Sequence, residues 1–287
     1  MIIKGKKEFI DQITKFDIKT KYAVVKPNWK SNHEGEFTEP EILSLLFEAL
    51  PNQKKIVVES YTPWRGLKFI ESDSHKGKGV TLDGGKAHWD FYKEQDQHFL
   101  GTTGIGNVLK KHKVDYINIT NEVWGGKCIG PEVIKKEVTD KKERITWEEL
   151  YSYIPQKLYQ IRKSSTLISL SKIKIEEGIQ AIYISMSIKN LFGLIPHPSR
   201  WIPFHGENHE SVSEVTRDIY TLYTLLFDKT LWVAEGIKTL VRNYCEPHQK
   251  VVENQNLLFV GRSAKQVDSE ACKILGIDPA KVPHLHL

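Results

Sequence analysis

Two pairs of lysine and asparagine residues have the types and positions needed to form a chemically active cleft. Lys26 and Asn28 follow one apolar run, while Lys189 and Asn190 interrupt another. A buried ammonium group costs several kcal/mol unless it is paired or meets an anion, so packing alone does not account for these lysines. The two pairs predict one polar, cationic cleft.

Lys26 and Asn28 stand where an apolar segment typical of a buried strand ends. Ligands of parallel α/β sheets bind at the carboxyl ends of strands, which predicts an anion contact from Lys26 and an amide contact from Asn28. In the alternative interpretation, the stem of Lys26 packs on Trp29 and its ammonium group lies in water.

Lys189 also has two interpretations. In the first, it holds a phosphate or carboxylate, or acts as a base with a lowered pKa. In the second, it pairs with a buried acid, for which the candidates are Glu59, Glu235 and Asp268. Gly193 follows in the same run and would let the backbone approach a ligand closely.

A loop that contains His197, His205 and His209 supplies a candidate for acid–base catalysis. His205 is that candidate, because imidazole is the usual proton carrier near neutral pH, and a surface histidine is the alternative. His205 and His209 have metal-ligand spacing only on a helix, and Gly206 between them disfavours one. We therefore predict neither a metal site nor a cofactor.

Arg262 follows Gly261 at the end of a predicted strand, where its guanidinium group would grip a carboxylate or phosphate. Asp268 falls in the first turn of the next predicted helix. There it either interacts favourably with the helix dipole, or takes part in catalysis or orients Arg262. The glycine-rich residues 101–106 precede a helix and could cradle a phosphate, but they follow no clear strand, which favours a lid or turn.

The pattern of apolar residues predicts an α/β protein with a mostly parallel sheet flanked by helices. We expect a single domain over residues 1–287, with insertions at about 61–103 and 125–160. The predicted strands are residues 22–26, 55–59, 114–120, 166–171, 231–234 and 256–260. The predicted helices are residues 7–16, a helix beginning near the Thr38–Glu41 start signal, 104–112, 179–191, 211–227 and 267–275.

Composition narrows the function classes. The 287 residues carry 41 lysines and arginines against 36 acids, a formal net charge of +5, without a dense basic tract, so nucleic-acid binding is disfavoured. The three cysteines lie far apart, which argues against a disulfide framework, an iron–sulfur cluster and structural zinc. With neither a signal peptide nor a run of about 20 apolar residues, we expect a soluble, cytoplasmic protein without a membrane partner.

Several of these features together resemble the domain of unknown function 362 family, from about residue 20 to the end. The resemblance rests on residues 26–28, Thr38 with Pro40 and Glu41, residues 167–174, residues 189–193, His205 and the tail 261–276. It implies a fold and a site more than a reaction. More loosely, the chain is similar to the amino-terminal domain of lactate racemase, which suggests a small hydroxy acid or carboxylate ligand.

The chain departs from that family at three places. Some members carry ferredoxin-type cysteine clusters, which are missing here. Members usually continue a lysine-x-lysine pair with x-histidine, but Lys172 and Lys174 are followed by Ile175 and Glu176. The family's aspartate–glycine is Glu235 and Gly236 in this chain.

The sequence therefore predicts an anionic small molecule in a cleft lined by Lys26, Asn28, Lys189, Asn190 and Arg262. Lys189 or His205 would move a proton, as in an isomerase or lyase, and the asparagines would steady oxyanion charge. The alternative is a non-catalytic sensor or binding subunit, which the missing histidine favours. Nucleic-acid binding is a third, less favoured hypothesis, and the oligomeric state stays open.

Overall fold

The computed structural model describes residues 2–65, 85–177, 182–200, 204–206, 209–243 and 250–286. Within these ranges the chain forms one sheet of eight strands: β1 (Tyr22–Lys26), β2 (Lys54–Glu59), β3 (Asp115–Asn118), β4 (Ser165–Glu177), β5 (Tyr183–Ser185), β6 (Lys229–Asn243), β7 (Lys250–Glu253) and β8 (Leu257–Gly261).

The helices of the described residues are α1 (Lys6–Thr14), α2 (Pro40–Glu48), α3 (Trp89–Thr102), α4 (Ile105–Lys111), α5 (Ile119–Trp124), α6 (Pro131–Asp140), α7 (Gln156–Ile161), α8 (Ser187–Asn190), α9 (Val212–Leu226) and α10 (Ala264–Ile274). Short 3-10 helices connect several of them, including Leu191–Leu194, which continues directly from α8.

The core of the sheet is parallel, with neighbouring strands in the order β3-β2-β1-β4-β6. Strands β5, β7 and β8 are added antiparallel. Apolar side chains of α1 to α4 pack against one face, and those of α6 to α10 against the other. This arrangement confirms the predicted α/β class, because a parallel sheet needs crossover helices that cover both of its faces.

Several predicted elements differ from the structure; β6, for example, runs to Asn243 although the predicted strand ends at residue 234. The expected helix 179–191 is instead the strand β5 followed by the single turn α8, and residues 178–181 lie outside the described ranges. Ile182 and Ile184 belong to a buried alternating pattern whose strand pairs with β4, which overrides helical spacing. Strand β4 also runs to Glu177 rather than Ser171, because its charged residues are buried beside a site rather than solvated.

The Thr38–Glu41 start signal marks α2 correctly, but not through the expected cap. Helix α2 begins at Pro40, and Glu39 in the cap position makes no side-chain hydrogen bond to the helix. The Thr38 hydroxyl instead accepts a hydrogen bond from the backbone nitrogen of Asn28 at 2.9 Å. Thr38 therefore fixes the loop that leaves β1, and this loop carries part of the candidate site.

The inserted regions of the sequence are largely helical where they are described. Residues 66–84 of the first lie outside the described ranges, and α3 forms most of the remainder. The second contains α6, α7 and a 3-10 helix, Glu148–Tyr153, all on the crossover from β3 to β4. No described helix combines the length and the apolar character that crossing a bilayer requires.

Candidate functional site

The candidate site lies at the carboxyl ends of the parallel strands. β1 ends at Lys26 and β2 at Glu59, and β4 continues beyond both. The chain adds strands on one side of β1 and then crosses to β4 on its other side, so connections diverge between these two strands. Such a switch point opens a crevice, which is where ligands of open α/β sheets bind.

Lys26 and Glu59 form a fully buried ion pair at the floor of this crevice. The Lys26 Nζ donates to Glu59 Oε2 at 2.7 Å and to the Pro27 carbonyl at 2.6 Å, and it lies 3.5 Å from Asn190 Oδ1. Both side chains are only 1% exposed. Burial lowers the pKa of Lys26 to about 8, although Glu59 opposes the shift. The alternative in which this ammonium group lies in water is therefore wrong.

Asn190 joins the two sequence motifs. Its Nδ2 donates to the Lys26 carbonyl at 2.9 Å and to Ser169 Oγ at 3.1 Å. The structure thus brings Lys26 and Asn190 together across 164 positions of sequence, as the paired motifs predict. With its amide held by β1 and β4, Asn190 positions the turn of α8 instead of reaching toward a ligand.

Gly193 lies against the buried ion pair of Lys26 and Glu59. A Cβ atom at this position would lie 2.5 Å from Lys26 Nζ and 2.6 Å from Glu59 Oε1. The missing side chain therefore makes room for Lys26 and Glu59, whereas the sequence analysis expected it to admit a ligand.

Asn28 holds a second buried lysine that the sequence analysis did not select. Lys174 Nζ donates to Asn28 Oδ1 at 2.8 Å, and Asn28 Nδ2 donates to the Glu36 carbonyl at 2.8 Å. Burial lowers the pKa of Lys174 to about 8. The signal for Lys174 was its alternation with Ile173 and Ile175, which is typical of a strand with one polar face.

Lys189 lies at the partly exposed rim of the same cluster. Its Nζ lies 5.3 Å from the centre of the Phe192 ring, and it forms no ion pair among the described residues. Burial lowers the pKa of Lys189 to about 7, with Lys174 and Arg200 adding to the shift and Glu176 opposing it. A lysine in this state is a mixture of ammonium and free amine at neutral pH.

None of the acids suggested as partners of Lys189 plays that role. Glu59 pairs with Lys26, and Glu235 pairs with Lys172 at 2.9 Å. Asp268, on α10, accepts from the backbone nitrogens of Ser187 at 3.1 Å and Ile188 at 3.0 Å, and from the Ser187 hydroxyl. Asp268 therefore fixes the start of α8, and with it the place of Lys189; it is neither a dipole partner of its own helix nor an orienting group for Arg262.

His205 lies beside Lys189 at the rim. Its ring is 5.3 Å from the Phe192 ring, and its Nδ1 is hydrogen-bonded to the Nδ1 of His209 at 2.7 Å. Burial lowers the pKa of His205 far below its usual value, and the charge of Lys189 adds to the shift. The imidazole is therefore neutral at physiological pH, which makes it a weaker base than Lys189.

Arg200 and Arg65 complete the cationic side of the site, and neither was selected from the sequence. Arg200 Nη1 lies 3.8 Å from Glu59 Oε1. Arg65 donates to the Trp29 carbonyl through Nε at 3.1 Å and forms a buried ion pair with Asp96. Arg65 therefore supports the loop that leaves β1, while Arg200 lies beside Glu59 at the floor of the crevice.

The residues 23–273 match the family model described as a domain of unknown function (DUF362). The chain belongs to the DUF362 family. Neither the curated proteins nor the solved structures contain a match to it. The family assignment confirms the resemblance seen in the sequence, and the site geometry carries the functional argument from here.

Of the two substituted positions in the DUF362 pattern, Glu176 lies inside the site and Glu235 does not. Glu176 occupies the place of the usual histidine, and it is 7% exposed beside Lys174. Its charge raises the pKa of both Lys174 and Lys189 against the effect of burial. Glu235, in place of the family's aspartate, pairs with Lys172 instead of facing the crevice.

Arg262 does not belong to the cleft. Strand β8 runs antiparallel to β6, and Gly261 is opposite Trp232, near the start of β6. Arg262 therefore lies at the amino edge of the parallel strands, where it donates to the Thr230 carbonyl at 3.0 Å and the Phe16 carbonyl at 2.7 Å. The prediction that Arg262 binds the ligand of this cleft is therefore wrong, because β8 runs antiparallel to β6 and ends at the opposite edge.

Two further observations concern ligands. The glycine-rich residues 101–106 join α3 to α4, and the hydroxyls of Thr102 and Thr103 bond back to carbonyls of α3, as in a turn. Within the described ranges, histidine, cysteine and carboxylate side chains form no group of three or more that could hold a metal ion.

Proposed function

We propose that this DUF362 protein binds an anionic small molecule, a carboxylate or a phosphate, at the rim of the crevice, and that Lys189 exchanges a proton with it. The observation that supports the proposal most directly is the gathering of Lys174, Lys189 and Arg200 at the carboxyl ends of β1 and β4. Like charges raise the free energy of the folded protein, so their proximity favours an anion among them.

The deeper residues have a different role. Lys26, Asn190 and Asn28 are held by protein acceptors and donors, so they form a rigid floor beneath the ligand. A floor of this kind keeps the cationic groups of the rim in fixed positions, and such preorganisation is what stabilises developing negative charge.

Lys189 is the group best suited to proton transfer. A pKa of about 7 lets it serve as a base and as an acid near neutral pH. Abstraction of a proton next to a carboxylate, followed by its return or by loss of a leaving group, is isomerase or lyase chemistry. His205, neutral and next to Lys189, would accept a hydrogen bond from the ligand or from the ammonium group.

Thermal unfolding with added anions tests binding. We expect phosphate, lactate or malate to raise the Tm of the wild-type protein relative to chloride at equal ionic strength, because a ligand that binds only the folded state stabilises it. Lys189→Met should abolish most of this rise. The matched control is Lys265→Met, which removes an exposed lysine of α10 and leaves every residue of the crevice unchanged. Equal responses of all three proteins would refute the site.

Hydrogen exchange separates the enzyme from the non-catalytic binding subunit. In D2O, a proton-transfer enzyme exchanges the hydrogen on the carbon next to the carboxylate of a bound hydroxy acid, which NMR detects. We expect exchange with wild type and Lys265→Met, and none with Lys189→Met. Binding without exchange for any ligand of the panel would instead support the sensor alternative.

A further inference from the structure

The short helix α8, which carries Lys189, is held at its start by a residue of another helix. It begins after Met186, whose side chain makes no capping hydrogen bond. Instead, Asp268 of α10 accepts from the backbone nitrogens of Ser187 and Ile188 and from the Ser187 hydroxyl. Building on the proposed function, we infer that Asp268 is a positioning residue of the anion site: its carboxylate caps α8 and thereby sets the place of Lys189.

The start of α8 needs a cap from outside. The first backbone N–H groups of a helix have no partner within it, and the thioether of Met186 is only a weak acceptor. Asp268 covers two of these groups, the Ser187 nitrogen with Oδ1 at 3.1 Å and the Ile188 nitrogen with Oδ2 at 3.0 Å. It does so across about 80 positions of sequence. The place of α8 is therefore tied to the place of α10.

The other end of α8 is held by the sheet. Asn190 Nδ2 donates to the Lys26 carbonyl at 2.9 Å and to Ser169 Oγ at 3.1 Å. Ser169 Oγ in turn donates to the Ser187 carbonyl at 2.9 Å. Lys189 lies between these fixed residues, so its backbone is held from both sides. Its ammonium group then keeps one region of the rim, and loss of either support would release it.

Stability alone does not account for the charge of Asp268. Burial raises its pKa to about 6, although the three hydrogen bonds oppose the shift, so the carboxylate is ionised at neutral pH. Because this folded-state pKa lies above the usual 3.8, the ionised group destabilises the folded protein above about pH 6 and not below 3.8. A charge that the fold holds at such a cost is explained by the position that it gives to Lys189.

The neighbours of Asp268 do not offset this cost. Among the described residues, its hydrogen-bond donors all belong to the start of α8, and no cation pairs with it. Tyr220 of α9 and Cys272 of α10 lie near enough to respond to its charge. Both stay neutral at pH 7, because burial raises their pKa values. The carboxylate therefore acts on α8 and on nothing else that carries charge.

The pKa of Lys189 reports its position without any ligand. An amine reagent reacts only with an unprotonated lysine, so the rate of labelling at Lys189 against pH, read by peptide mass spectrometry, gives this pKa. We expect a midpoint of about 7 in the wild-type protein. Asp268→Asn replaces one acceptor oxygen by an amide group that cannot accept. The start of α8 then loosens, the ammonium group moves toward water, and the midpoint should rise by at least about 1 pH unit.

Asp218→Asn is the matched control. Asp218 of α9 is also a buried carboxylate, and it accepts from the backbone nitrogens of Thr146 at 2.6 Å and Trp147 at 2.8 Å. Its substitution removes a comparable support from a different part of the chain. The midpoint of Lys189 should therefore stay at its wild-type value. If the two asparagine variants shift the midpoint equally, the shift reflects general destabilisation and the inference fails.

Ser187→Ala is a milder change at the same contact. It removes the hydroxyl donor and keeps both backbone donors, so the midpoint of Lys189 should rise less than with Asp268→Asn. Should Asp268→Asn not fold, this variant decides the question on its own. A midpoint that stays at the wild-type value in every folded variant at these two positions overturns the inference.

Anion binding separates this inference from the proposed function. With phosphate, lactate or malate, Asp268→Asn should bind at least about tenfold more weakly than wild type, and Asp218→Asn should bind equally well. If wild type binds an anion and the labelling midpoint of Lys189 is the same in all proteins, the inference fails and the proposed function stands. If wild type binds none of these anions, the proposed function fails, while the labelling still decides whether Asp268 positions Lys189.

Discussion

Strand β4 carries two buried lysines, Lys172 and Lys174, with opposite surroundings. Lys172 donates to Glu39 at 2.8 Å and to Glu235 at 2.9 Å. Burial alone would lower its pKa, but Glu235 and Glu39 together raise it above the usual value. Lys174 donates to the neutral amide of Asn28, and burial lowers its pKa to about 8.

The difference separates a structural lysine from a lysine of the site. At Lys172 the chain supplies two carboxylates and so cancels the cost of burying the ammonium group. Among the described residues, neither Lys174 nor Lys189 forms an ion pair, and the charge of Glu176 only partly opposes the effect of burial on their pKa values. This difference in compensation is what supports the proposal that an external anion binds beside Lys174 and Lys189.

Removal of the structural lysine should have the largest effect. Lys172→Met leaves Glu39 and Glu235 without their cation in the interior, which should lower the free energy of unfolding by about 3–5 kcal/mol. Lys174→Met removes one hydrogen-bond donor to an amide and should cost about 1–2 kcal/mol. Urea denaturation at pH 7 measures both. Equal losses would show that the two lysines do not differ as described.

Gly193→Ala tests the floor of the crevice. The new Cβ would overlap Lys26 Nζ and Glu59 Oε1, so the pair must shift, at a cost of about 1–3 kcal/mol. Anion binding at the rim should weaken as well, because the 3-10 helix that contains Gly193 continues directly from α8, which carries Lys189. In the control Gly101→Ala, the Cβ meets nothing within 4 Å on a helix, so stability should be unchanged or slightly higher.

The contrast also shows which parts of the site a sequence can reveal. Lys26 follows one apolar run and Asn190 interrupts another, so the burial of both could be predicted from their neighbours in sequence. Lys174 alternates with apolar residues in a way that also fits a half-solvated strand, and only the loop from β1 that covers it makes it part of the interior. The residue pattern near Lys174 therefore could not distinguish a half-solvated strand from a buried one.

The prediction that Arg262 lines the cleft was wrong for another reason. Its strand was predicted correctly, but the direction in which β8 joins the sheet depends on the path of the preceding chain, not on residues 257–261. Most strands and helices could be predicted because their apolar periodicity is local. The sheet edge at which a strand ends is a property of topology, so candidate residues at strand ends need the strand direction before they can be grouped.

The smallest expected effect concerns Lys189 without a ligand. Its folded-state pKa of about 7 lies below its usual value near 10.5, so the unfolded chain binds the proton more tightly. The destabilisation is complete below pH 7 and disappears as the pH rises toward 10.5. Lys189→Met should therefore be more stable than wild type by about 1 kcal/mol at pH 6, a modest figure because solvent screens a partly exposed charge.

Urea denaturation of wild type and Lys189→Met across pH 6 to 10 measures this advantage. It should shrink as the pH rises, while the Lys265→Met control follows wild type throughout. If Lys189→Met is less stable than wild type at pH 6, the ammonium group is compensated within the protein, as Lys172 is. The rim would then be structural, and the contrast between the two lysines of β4 would no longer point to a ligand.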